Sequence, residues 1–195
     1  MKYLLRLIIV PLVYLACFAF ATTGIASAEF DEIVKSIISA FMLLIYIVLL
    51  AGVMFKEGQD AYGVLLSNDA QRRNIIKTGI VVDFDASKEY KPWKGFVVGL
   101  ICCIPLVVMV LLHTVAFPRG DTSRVSIICE MVYGIFFSVV RTYQNTNELG
   151  FFIITGAILL VYPCMLGVPY VIGAHSRMKR QEEIKKLNEE FHGGK

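Results

Sequence analysis

The sequence predicts an all-α, polytopic membrane fold, and three observations carry that prediction. Hydrophobic residues make up 56% of the 195 positions, more than a water-soluble domain of this size hides. They gather into uninterrupted runs, several longer than the roughly 20 residues a helix needs to cross a hydrocarbon core of about 30 Å. Cations sit at the ends of these runs, the placement that sets orientation under the positive-inside rule. Four spans are expected, at about 7–28, 33–55, 95–117 and 149–172, with a short re-entrant or interfacial helix at 125–140. The net charge of +3 is spread beside the spans and forms no basic stripe, which argues against nucleic acid as a partner.

The first run, 7–28, follows Lys2 and Arg6 and meets Glu29, Asp31 and Glu32 at its far end. As a span it enters from the cytoplasm on its two cations and tolerates Pro11 in its first turns. A cleaved signal peptide is the competing reading, since Ala26, Ser27 and Ala28 give the small-x-small pattern of a cleavage site. The apolar run is longer than a usual signal-peptide core, which favours retention. The second run, 33–55, carries Lys35 only near its outer end, where a lysine snorkels to the interface. It returns the chain to the cytoplasm and forms a tight helical hairpin with the first.

Residues 56–94 are the one sizeable polar connector, with cations and carboxylates interspersed. Tyr62, Leu65 and Leu66 extend the helical period of the second span to about Leu66. Ser67, Asn68 and Asp69 then read as a stop and a new N-cap, followed by a short helix ending at Gly79. Lys91, Trp93 and Lys94 flank the entry of the third span as interface anchors, and Gly95 with Gly99 gives a small-xxx-small pair at its start.

The segment 125–140 is short for a span and carries Glu130 at its centre. Were it to cross, the count of crossings would become odd and the tail's Arg177, Lys179 and Arg180 would lie outside, against the charge rule. Parity therefore favours a helix that enters from the outer face and returns to it. Ser126, Glu130, Gly134 and Ser138 recur every fourth residue and share a face. With His113, near the outer end of the third span, Glu130, Ser126 and Ser138 form a candidate intramembrane polar site for proton relay or cation passage. The plainer reading turns Glu130 toward the outer interface, because one acid without a second buried charge makes a thin pathway.

The last run, 149–172, contains Pro163 and Pro169, each of which removes a helical hydrogen bond. The stretch 162–170 is therefore expected to be kinked or locally unwound, and Tyr162, Pro163, Pro169 and Tyr170 are a candidate broken-helix site. The cytoplasmic tail 173–195 anchors on Arg177, Lys179 and Arg180 and continues as an exposed helix with Ile184, Leu187 and Phe191 on one face.

No phosphate-cradling GxxxxGK[ST], HExxH or GxSxG motif occurs. All five cysteines lie in apolar runs and adjacent Cys102 and Cys103 diverge on a helix, so no metal site or cofactor is expected. The sequence points to a multi-pass protein of the cell membrane with both termini of the precursor cytoplasmic. It sets no oligomeric state. The expected role is a non-catalytic accessory or scaffold subunit, in contact with membrane lipid and docking another protein on the cytoplasmic side. A small transporter or channel subunit using Glu130 and the broken last span is the first alternative; a membrane enzyme on a lipid-linked substrate is the second.

Overall fold

A computed structural model describes residues 2–80, 88–108, 111 and 148–192. Among these the secondary structure is helical throughout, without strands: α1 (Lys2–Ser27), α2 (Glu32–Thr78), α3 (Lys94–Cys102) and α4 (Glu148–His192). Three helices are long and apolar enough to cross a membrane, at Leu5–Thr22, Ile33–Thr78 and Thr155–Phe191, and Lys94–Val108 is a shorter apolar helix. The expected re-entrant helix at 125–140 and the outer part of the third span lie outside the described residues.

Each helix turns one row of residues inward at a spacing of four, the ridge on which neighbouring helices interlock. On α1 the row is Leu7, Pro11, Leu15 and Ala19; on α2 it is Tyr46, Leu50 and Met54. Val98, Cys102 and Leu106 form it along the third apolar helix, and Tyr162, Leu166, Tyr170 and Ala174 on α4. The outward faces are apolar too: Leu5, Ile9 and Val13 of α1, Phe41, Leu44 and Val48 of α2, and Leu160 and Val161 of α4 are exposed. Helices that are hydrophobic all round need an apolar surrounding.

Contacts along the rows give the helix directions. Tyr3 meets Glu57 and Phe18 meets Tyr46, so α1 and α2 are antiparallel. Tyr46 meets Tyr162 and Arg177 meets Gln59, so α2 and α4 run parallel. Gly95 faces Tyr170, Gly99 faces Pro163 and the Cys103 thiol faces the Leu159 carbonyl, so α3 runs against α4.

Glycines set how closely these helices approach. A Cβ at Gly58 would collide with the Tyr170 carbonyl, and one at Gly173 with the Phe55 carbonyl, so α2 and α4 touch backbone to backbone. A Cβ at Gly99 would fall 2.5 Å from the Pro163 Cα. The Gly95 and Gly99 pair is thus used inside the chain, the role small residues play where helices lack a hydrophobic force between them.

Two sequence expectations are corrected. α2 does not stop at 67–69 but runs unbroken for 47 residues to Thr78. Asn68 is buried and so does not cap from solvent, and Leu66, at the expected end, lines a groove shared with α4. The helix ends at Gly79, whose φ of 69° closes the last turn with its N–H on the Ile75 carbonyl. α4, secondly, is one continuous helix through Pro163 and Pro169, so of the two forms expected at 162–170, kinked or locally unwound, the unwound one is absent. Pro163 leaves the Leu159 carbonyl without its helical donor, and the Cys103 thiol donates to that carbonyl at 3.8 Å. The proline ring, buried against Gly99, is held by packing where its own helix lacks a bond.

Replacing Gly173 by Val is expected to destabilise the protein in detergent by about 1–3 kcal/mol, the range for overpacking, because the Phe55 carbonyl is backbone and cannot swing aside. Gly52→Ala, where nothing lies within 4 Å, is expected to hold or raise the melting temperature. Equal melting of both variants would contradict this packing.

Candidate functional site

Two features stand out along α2 and α4: a buried array of tyrosines running from within the apolar zone to its end, and a pair of helices projecting beyond that end. The array begins with Tyr46 and Tyr162, both fully buried, whose hydroxyls share a hydrogen bond of 2.6 Å across 116 residues of sequence. A phenol in an apolar interior needs a partner for its O–H. Here one hydroxyl donates and the other accepts, which fixes the register of α2 on α4. Phe18 of α1 packs against the Tyr46 ring, with centroids 5.4 Å apart.

Two turns along α4, the Tyr170 ring stacks on Tyr90 at 5.7 Å, and Tyr90 meets Tyr62 of α2 edge-on at 5.8 Å. The Tyr170 hydroxyl is buried and makes no hydrogen bond among the described residues. These rings tie the segment before α3 to both long helices. Tyr3 closes the array at the start of α1, donating to the Glu57 carboxylate at 2.9 Å. Burial and the Glu57 charge push its pKa upward, so it remains a neutral donor through physiological pH.

Of the sequence-predicted site residues, Tyr162, Pro163 and Tyr170 come together on the inner face of α4, with Pro169 half-buried beside them. They form packing contacts in an intact helix, not a site of exposed carbonyls. Glu130, His113, Ser126 and Ser138 lie outside the described residues. Among the expected interface anchors, Trp93, Lys91, Lys179 and Arg180 are exposed, and the Lys91 ammonium sits 5.8 Å from the Trp93 ring centre. Lys94 is placed differently from a lipid-facing anchor: it is 6% exposed and donates to the Glu89 carbonyl at 2.6 Å. Arg177 is also turned inward, donating to the Gln59 carbonyl at 3.1 Å and facing Asp60 at 3.7 Å.

The sequence reading overlooked Tyr46, Tyr90, Tyr3 and Glu57. The signal for Tyr46 was present, since two tyrosines deep in separate apolar runs each require a hydrogen-bond partner and each is the economical choice for the other. No group of three or more His, Cys, Asp or Glu side chains with metal-binding geometry occurs among the described residues.

The projecting pair begins where Phe55 and Gly173 touch, so the two apolar runs end side by side. Beyond that level α2 continues to Thr78 and α4 to His192. An open groove of about 780 Å³ lies between them, walled by Tyr62 and Leu66 of α2 and, on α4, by Met178 and Ile184 among polar and charged side chains that include Gln181 and Glu182. Leu187 and Phe191 follow Ile184 on the same face and are exposed, Phe191 at 82%. Lys185 and Glu189, paired at 3.9 Å one turn apart, line the same groove, so its α4 wall is charged as well as apolar.

Comparison with protein-family models, with curated proteins and with solved structures finds no match.

A double-mutant cycle measures the tyrosine contact. Tyr46→Phe and Tyr162→Phe are each expected to cost about 1–2 kcal/mol of stability in detergent, because each strands one buried hydroxyl. The double variant is expected to cost less than the sum of the two. Strict additivity would mean that the hydroxyls do not interact.

Proposed function

We propose that the chain is a four-span integral membrane protein, with both termini of the precursor cytoplasmic, that acts as a non-catalytic accessory or scaffold subunit. Its docking element is the α2–α4 pair beyond Phe55 and Gly173, and its partner is a cytoplasmic protein that presents an apolar helical face to the groove.

One observation carries the reading: two parallel helices leave the apolar zone at the same end, pack as far as Gly63 and Arg177, flank an open groove beyond, and leave Ile184, Leu187 and Phe191 exposed in one row on α4. Helices that served only to cross a bilayer of about 30 Å would end near its surface, whereas 47 residues of α2 extend about 70 Å at 1.5 Å per residue. The topology has independent support. α1 is antiparallel to α2, and α3 to α4, so a chain entering at Arg6 crosses outward in α1 and in the third helix and inward in α2 and α4. Arg6, Lys56, Lys88, Arg177, Lys179 and Arg180 all fall at one end of the bundle, which the positive-inside rule assigns to the cytoplasm. The transporter reading drew on Glu130, which lies outside the described residues, and on a broken last helix, which the continuous α4 does not support.

Two measurements test this. In a chain whose native cysteines are replaced by alanine, a cysteine at position 191 is expected to react with a membrane-impermeant maleimide only after cells are permeabilised; labelling in sealed cells would overturn the topology. A photo-crosslinker at Leu187 is expected to capture a discrete partner. That product should vanish when Ile184 and Phe191 are both changed to Ser, with membrane insertion retained. Persistence of the same product would overturn the docking role.

A further inference from the structure

We propose a binding site for a single phosphate-bearing, anionic lipid headgroup in a cleft of about 650 Å³ at the end of the bundle where α1 begins. The assignment rests on the membrane placement proposed above and is independent of the docking role.

Four elements meet at this cleft: the first turns of α1, the middle of α2, the segment before α3, and α4. They bring Arg6, Lys56, Lys88 and Arg177 around one concavity, against two carboxylates, Glu57 and Asp60. Both carboxylates keep their charge, so four cations face two anions. Glu57 accepts from the Tyr3 hydroxyl at 2.9 Å, and Asp60 faces the Arg177 guanidinium at 3.7 Å. Arg177 is held besides by the Gln59 carbonyl at 3.1 Å and seated over Gly63, where a Cβ would meet the guanidinium carbon at 2.6 Å. An arginine anchored in this way presents its remaining N–H groups in a fixed fork, the arrangement that suits a tetrahedral oxyanion. Arg6 and Lys56 are exposed at the rim and make no hydrogen bond or ion pair among the described residues. The cleft therefore holds an excess of positive charge in a concave surface, which raises the local concentration of anions.

The remaining walls select a lipid over a soluble anion. Val10, Val53 and Val64 line the same cleft. Val10 and Val53 belong to the apolar faces of α1 and α2, continuous with exposed Ile9, Val13 and Leu49. A ligand with a charged head and acyl chains satisfies both parts at once. Inorganic phosphate satisfies only the first.

The test uses the full chain, delipidated in a neutral detergent and titrated with phosphatidylglycerol, phosphatidylcholine or inorganic phosphate, with bound ligand counted by native mass spectrometry. Saturable binding of one phosphatidylglycerol per chain is expected, well ahead of phosphatidylcholine. Arg6→Gln and Lys56→Gln are each expected to weaken it about fivefold, the effect of one cation near an anionic headgroup. The double variant should weaken it more than either single change, though not by their full product, because both cations face one headgroup. A Lys179→Gln, Arg180→Gln double variant, which removes exposed cations outside the cleft, is expected to change affinity less than twofold. All variants alter exposed side chains and should melt with the parent. Equal binding of the two lipids, non-saturating uptake, or an equal loss from the Lys179 and Arg180 changes would overturn the site. Displacement of the lipid by millimolar inorganic phosphate would overturn the lipid assignment in favour of a soluble anion. None of these results depends on the Leu187 cross-link, so the two proposals fail separately.

Discussion

The backbone contact between α2 and α4 is the constraint on which the rest of the structure depends. Gly58 lies on the Tyr170 carbonyl and Gly173 on the Phe55 carbonyl, so two parallel helices are held in direct backbone contact. That spacing brings the Tyr46 and Tyr162 hydroxyls within hydrogen-bond reach and places Arg177 over Gly63. It also settles where the apolar zone ends, because Phe55 and Gly173 stand side by side. The tyrosine array, the interfacial cations and the projecting pair all inherit their positions from it.

Polar accounting within the bundle is equally economical. Proline in a helix frees a carbonyl that lipid cannot hydrate. In α4 the Leu159 carbonyl freed by Pro163 accepts the Cys103 thiol, and the Cys102 thiol donates to the Ile8 carbonyl three residues before Pro11 in α1. Two adjacent thiols thus point to two different helices, each near a proline. A thiol is a weak donor, yet in surroundings with few alternatives it is suited to a carbonyl that has lost its amide. The same economy explains Thr22, whose hydroxyl bonds back to the Phe18 carbonyl at 2.9 Å within its own helix.

How much of this was legible in the sequence follows from which forces are local. The apolar runs, the helical class and the stop at Gly79 were readable, because span length and a left-handed glycine after the final turn are properties of a few consecutive residues. The close approach at Gly95 and Gly99 was readable as a tendency, though its partner, Pro163 on α4, was not. The misreadings share one cause. Ser67, Asn68 and Asp69 have the composition of a helix boundary, but α4 lies alongside Leu66 and the pairing overrides a preference of about 1 kcal/mol at a cap. Lys94 has the sequence position of an interfacial anchor, yet the Glu89 carbonyl comes within reach and draws it inward. Pro163 has the signature of a break, and a thiol 60 positions earlier in the chain removes the need for one. The cleft cations were visible singly; that Arg6, Lys56, Lys88 and Arg177 converge depends on three helix contacts that no window of sequence contains.

The unbroken course of α2 has a mechanical corollary. A helix that is neither capped nor interrupted between Glu32 and Thr78 behaves as an elastic rod. Sideways load applied at the Thr78 tip falls first on the contacts with α4 at Gly63, Gln59 and Gly58, and these stand between the tip and the Tyr46 bond deeper in the apolar run.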